Sequence, residues 1–218
     1  MTDLAARTEP KEHSPPLGLS PACTPSLRTS LRGRLRRKVG ETLLKSGGWR
    51  LQGELPNEPK FLLVCAPHTS NWDFVLMLEI AFARDFEVHW VGKDSLFRPP
   101  FGTLARLGGG IAVVRGASQN QSGQVAQAIR QAERMIVAIA PEGTRSKAGR
   151  WRTGFYHMAV QAGVPIQLGF LDYAKRVGGF GPCIYPSGDL DADFAKIEAF
   201  YRDIQGKFPD QQGAISHS

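Results

Sequence analysis

Phe61-Leu62-Leu63-Val64-Cys65-Ala66 is an unbroken apolar run that stops at Pro67-His68, and a second run, Met135-Ile136-Val137-Ala138-Ile139, stops in the same way at Pro141-Glu142. Short continuous runs of this kind read as strands buried on both faces rather than as helices or half-wet strands. A sheet covered on both sides needs helices, and after the first run Phe74, Val75, Leu78 and Phe82 recur at helical spacing behind the N-cap types Thr69, Ser70 and Asn71. The same reading predicts strands at 60–66, 87–91, 111–114, 135–140, 165–170 and 183–185, and helices at 72–83, 122–133, 154–162 and 191–205. Phe194, Ile197, Tyr201 and Ile204 give the last helix its stripe, and Asp191 and Asp193 suit its N-terminus. Strands alternating with helices predict a single α/β layered domain, with a central mostly parallel or mixed sheet flanked by helices.

The chain has 218 residues, room for one substantial core, and the domain is expected over 49–208. Its 42% hydrophobic and 22% charged residues exclude a disordered or fibrous class. Cys23, Cys65 and Cys183 are too few and too scattered for a disulfide framework or a zinc site, and no metal is expected. The net charge of +7 is local: from Arg28 to Arg50 eight basic residues face one acid, Glu41, and the rest of the chain is balanced. Within that stretch Leu27, Leu31, Leu35, Val39 and Leu43 form a drifting stripe among arginines. This predicts a basic amphipathic N-terminal helix over 27–48, preceding the domain and lying on an anionic membrane surface through Leu31, Arg32, Arg34, Leu35, Arg36, Arg37 and Lys38. A plain surface helix packed on the domain and a nucleic-acid arm are the other readings, the latter without any supporting motif elsewhere. Gly33 and Gly40 count against an unbroken helix. No apolar run is long enough to span a bilayer, and the N-terminus lacks signal-peptide order, so the expectation is a cytoplasmic protein held peripherally at the cytoplasmic face of a membrane. Residues 1–26, with five prolines among Ser and Thr, and residues 209–218 are expected to be disordered tails.

Two motifs carry chemistry. His68 stands just past a strand end and Asp73 in the first turn of the following helix, where a fold back brings base and orienting carboxylate within reach. The competing reading is a solvated His and an Asp chosen by the helix dipole. The second motif, Glu142-Gly143-Thr144-Arg145, offers a glycine for positive φ or close approach, a hydroxyl, and a planar fork suited to phosphate. It also reads as an ordinary polar turn in which Glu142 pairs with Arg145 or Lys147. His89 lies among apolar strand neighbours and reads as structural. No G-x-S-x-G, G-x-x-x-x-G-K-[ST] or H-E-x-x-H motif is present.

Taken together, H-x4-D at His68 to Asp73 and E-G-T-R at Glu142 to Arg145 strongly resemble the glycerolipid acyltransferase family, whose best-known members are the 1-acylglycerol-3-phosphate acyltransferases. Gly108-Gly109-Gly110-Ile111-Ala112-Val113-Val114-Arg115 is similar to that family's second block and Val164-Pro165-Ile166 to its fourth, so the likeness runs from about Trp49 to Asp189. The chain departs from the pattern at Ala140, where an aromatic is usual, and at Gln167-Leu168-Gly169, where a second proline is usual. The resemblance implies transfer of a fatty acyl group from a thioester, acyl-CoA or acyl-ACP, to a hydroxyl of a lysophospholipid. His68 is then the general base and Asp73 its orienter; Arg115 and Arg145 clamp the phosphate, while Glu142, Gly143 and Thr144 shape the acceptor site. Lys93 is a weaker phosphate candidate. The implied partners are the donor thioester or its acyl carrier protein, a lysolipid and an anionic membrane; no cofactor and no nucleic acid is implied. Another lysolipid acceptor, such as a lyso-aminolipid, and a catalytically silent lipid-binding protein are the alternatives.

Overall fold

A computed structural model describes residues 31–100, 102–113 and 118–217, excepting the side chains at 93, 107, 112, 113 and 118–121. Along the chain run α1 (Leu31–Ser46), β1 (Arg50–Gln52), β2 (Lys60–Ala66), α2 (Trp72–Ala83), β3 (His89–Lys93), α3 (Gly102–Leu107), β4 (Gly110–Val113), α4 (Ser118–Gln131), β5 (Met135–Ile139), α5 (Gly154–Ala162), β6 (Ile166–Asp172), β7 (Val177–Ile184) and α6 (Leu190–Tyr201). One seven-stranded mixed sheet, in the order β1-β7-β6-β2-β5-β3-β4, joins them; β7 is antiparallel to β6 and every other pair is parallel.

The unbroken apolar runs have the expected cause. Leu62, Val64 and Ala66 of β2 face a core built with Val125 and Ile129 of α4, Phe155 and Ala159 of α5, and Phe194, Ile197 and Tyr201 of α6. Phe61 and Leu63 face the opposite core, with Leu44 of α1 and Leu76 and Ile80 of α2. Each strand residue is therefore covered whichever way it points, which removes the polar alternation of a half-exposed strand. Because β6, β2 and β5 are parallel neighbours, their C-terminal ends share one sheet edge.

Several elements differ from expectation. Strand β7 is longer than 183–185, because Gly178, Gly179 and Gly181 hide its apolar pattern while neighbouring side chains fill the space above it; the Phe200 ring lies over Gly181. Strand β1 and helix α3 are too short to carry a periodic signal. In α2 the predicted stripe is inverted: Phe74, Val75 and Phe82 are exposed, and Asp73, Leu76, Ile80, Ala81 and Ala83 are buried. This helix is apolar on nearly every side, so spacing alone does not say which side meets the sheet.

Helix α1 is continuous, and its glycines are the reason for its placement. Gly33, Gly40 and Leu44 form its buried face against α2. A Cβ on Gly40 would stand 2.4 Å from the Ala83 nitrogen and 2.6 Å from the Glu79 oxygen, so the two backbones approach as only glycine permits. The leucine stripe is left outward: Leu31 is 76% and Leu35 64% exposed, with Val39 and Leu43 also exposed. Residues 209–217 form no loose tail. Pro209–Gln211 make a 3-10 turn, Trp151 N–H donates to the Ser216 carbonyl at 2.7 Å, and His217 pairs with Asp191 at 3.0 Å. Their backbone groups find protein partners, which is what a polar tail composition does not disclose.

Candidate active site

Strand β2 ends at Ala66, and the following residues turn back so that the first turn of α2 faces the end of the strand. His68 Nδ1 lies 3.1 Å from Asp73 Oδ2. The same oxygen accepts the backbone N–H groups of Thr69 and Ser70, each at 2.9 Å, so the carboxylate closes its own loop. The His68 side chain is 26% exposed and that of Asp73 only 7%, which places the base at the surface and its orienter beneath it. Burial works against the Asp73 charge, but the hydrogen bonds from His68, Tyr173 and Ser70 outweigh it and hold the carboxyl below its ordinary value. With Nδ1 engaged by Asp73, Nε2 is the ring nitrogen left to take a proton.

Strand β5 delivers the second motif to the same edge. Glu142 is 7% exposed, and its Oε1 accepts the backbone N–H of His68 at 3.0 Å. It thus supports the site from below, and the pairing with Arg145 or Lys147 that a simple polar turn would show is replaced by this longer-range contact. Its other carboxyl oxygen is buried, without a hydrogen-bond partner among the described residues. Burial pushes the Glu142 carboxyl up, against the opposing effect of the His68 N–H. Gly143 adopts φ +65°, a left-handed conformation that turns the chain outward after Glu142. Thr144 Oγ1 accepts the Ser146 N–H at 3.2 Å, tightening the turn. Arg145 is exposed, and its guanidinium donates to Asn71 Oδ1, joining the two motifs. Arg115 lies outside the described residues, as does the side chain of Lys93.

Two contributors escaped the motif reading. Tyr173, immediately after β6, donates its hydroxyl to Asp73 Oδ1 at 2.7 Å. Its only sequence signal is a place just past a strand end, the same place that His68 and Glu142 occupy on β2 and β5. The other is the chain after α6: Phe208 N–H donates to Thr69 Oγ1 at 3.2 Å. Gln211, with its amide nitrogen turned toward them, donates to the carbonyls of Arg145 at 2.8 Å and Thr69 at 3.1 Å. Burial first, then the nearby Glu142 and Asp73 charges, push the thiol of Cys65, on β2, up to about 12, which disfavours the thiolate that a nucleophile needs.

Of the expected membrane residues, Leu31, Arg32, Arg34, Leu35 and Lys38 are exposed and Arg36 and Arg37 half-buried, with Arg36 lying over the Phe82 ring at 5.0 Å. The outward faces of α1 and α2 thus combine apolar and basic groups, and Trp72, 58% exposed, and Phe74 flank Asp73 in the sequence. Among the described residues no helix is long and apolar enough to cross a membrane.

Residues 50–167, just over half of the chain, match the family model described as Acyltransferase. Similar proteins include the 1-acyl-sn-glycerol-3-phosphate acyltransferase of Escherichia coli (strain K12), 35% identical over 108 residues that make up 46% of this chain and 42% of that one. A protein of the same name from Haemophilus influenzae is 31% identical over 130 residues, 55% of this chain and 52% of that one. The chain spans about half the length of these curated relatives. The crystal structure of the 1-acyl-sn-glycerophosphate (LPA) acyltransferase PlsC from Thermotoga maritima shares the fold, with a TM-score of 0.55 at 17% identity over 78% of this chain and 77% of that one. On the family match, which takes in both His68 to Asp73 and Glu142 to Arg145, this chain belongs to the acyltransferase family.

Proposed function

We propose that the protein is an O-acyltransferase that moves a fatty acyl group from a thioester, acyl-CoA or acyl-ACP, to a hydroxyl of a lysophospholipid, with 1-acylglycerol-3-phosphate as acceptor and phosphatidic acid as product. The observation that carries this reading is the His68–Asp73 pair, 3.1 Å apart, at the exposed edge of the sheet. Nε2 of His68 takes the proton from the acceptor hydroxyl, and the oxygen forms a bond to the thioester carbonyl carbon. The tetrahedral adduct then collapses, the carbon–sulfur bond breaks, and the departing thiolate takes the proton back from the imidazolium. The products are an ester and a free thiol. Asp73 holds the imidazole in one tautomer and offsets its transient charge. No protein nucleophile enters, because the acceptor brings its own, and the steps call for no cofactor. Arg145 meets the acceptor phosphate, with Arg115 as the second cation of the clamp.

The exposed Leu31, Leu35, Trp72 and Phe74, with the arginines of α1, support docking on an anionic membrane at its cytoplasmic face, where the lipid acceptor resides. Purified protein, a labelled acyl-CoA or acyl-ACP and a panel of lysolipids on vesicles provide the test. His68→Ala abolishes transfer while the protein stays folded and vesicle binding stays unchanged; retained transfer overturns the base assignment. Transfer only to a lysolipid without phosphate overturns the acceptor.

A further inference from the structure

Asp73 accepts four hydrogen bonds, divided unequally between its oxygens. Oδ2 takes His68 Nδ1 and the Thr69 and Ser70 N–H groups, all within seven residues of chain. Oδ1 takes the Tyr173 hydroxyl, one hundred residues away and at 2.7 Å the shortest of the four. An Asp carboxylate rotates about its Cβ–Cγ bond, and that rotation would carry Oδ2 out of line with the His68 ring. The contact on Oδ1 stops that rotation. Tyr173 is itself held at both ends. Its N–H donates to the Gln205 carbonyl at 2.9 Å, and its ring meets Trp49 edge-on with centroids 5.0 Å apart. A donor fixed in this way costs little reorganisation when charge develops on the imidazole.

We propose that Tyr173 is a positioning residue of the acyl transfer, locking the Asp73 carboxylate through Oδ1 so that His68 stays aligned with the incoming hydroxyl. It acts through Asp73 and not on substrate, and the proposal rests on the function argued above. Its phenol remains protonated through the working range, since burial and then the Asp73 charge both raise it. The ionisable groups around Asp73 are His68 from the loop after β2, Cys65 from β2, Glu142 from the loop after β5 and Tyr173 from the loop after β6. Of these, His68 and Tyr173 alone touch it through their side chains.

Tyr173→Phe deletes the hydroxyl and keeps the ring against Trp49. The expected result is a kcat lowered about tenfold, the rate equivalent of one lost hydrogen bond, with KM for both substrates unchanged. The acid limb of the kcat/KM profile moves to higher pH, because Asp73 without its donor holds a proton on the pair more strongly. In an Asp73→Asn background the same change has no further effect on kcat, as two members of one unit require. A wild-type kcat and pH profile in Tyr173→Phe, or a full additional loss in the Asp73→Asn background, overturns the proposal. Thermal unfolding of the same four proteins provides a readout without substrate. Coupling between the two positions supports the lock and additivity overturns it, even if the wild-type chain transfers no acyl group, a result that would instead count against the proposed function.

Discussion

Asp73 and Glu142 stand on either side of His68 and respond to acid in opposite senses. Asp73 has its folded value lowered, so its contribution to stability is fully present above the ordinary carboxylate value and is lost as pH falls through the lowered one. Urea unfolding at a series of pH values should show this loss in the wild type and a flatter acid side in Asp73→Asn. Glu142 has its folded value raised by burial, so its ionised form costs stability at neutral pH and that cost disappears as pH falls through the raised value. Glu142→Gln keeps an oxygen for the His68 N–H and removes a buried charge. It should therefore match or exceed the wild-type Tm at neutral pH, with the difference shrinking in acid; a large loss of Tm would show that the charge itself holds the loop. Arg145 differs from both in being exposed, with its guanidinium donating to Asn71. Arg145→Ala should leave Tm nearly unchanged and raise KM for a phosphate-bearing acceptor about tenfold, as expected for one charge-assisted contact.

Helix α1 separates two roles by face. The Gly40 side lies against Glu79, Phe82 and Ala83 of α2, and any side chain there meets backbone, which cannot swing away. Gly40→Val should destabilise the protein by about 1–3 kcal/mol, read by denaturant unfolding, as overpacked sites do. The opposite side offers Leu31 and Leu35 to whatever lies outside. Replacing both by Ser should weaken binding to anionic vesicles while changing stability by less than about 0.5 kcal/mol, since neither is buried in the folded chain. Unchanged vesicle binding would make α1 a packed helix and nothing more. The inverted stripe of α2 belongs to the same surface: Phe74, Val75 and Phe82 face outward because Leu76 and Ile80 already satisfy the sheet.

At the level of the whole molecule, three adjacent parallel strands bring three loops to one edge, and the segment after α6 closes over them. Phe208 and Gln211 reach Thr69, Gln211 reaches Arg145, and a Cβ on Gly206 would stand 2.9 Å from Thr69 Oγ1. Ending the chain after Gln205 should lower Tm and reduce acyl transfer together, because both motif loops lose partners; full activity in the shortened protein would reduce this segment to packing. Local pattern was enough for the strands β2 and β5, the helix bounds at 72–83 and 154–162, the placement of His68, Glu142 and Arg145 after strand ends, and that of Asp73 in the first turn of a helix. Those features depend on burial on two faces and on helical spacing, which neighbours in the chain express directly. Strand order decided the rest. Tyr173 meets Asp73 because β6 lies beside β2, Glu142 meets His68 because β5 lies on its other side, and the glycines of α1 became a packing face once α2 lay against them. The two side-chain contacts join residues 74 and 100 positions apart, and no local periodicity encodes which strands will be neighbours.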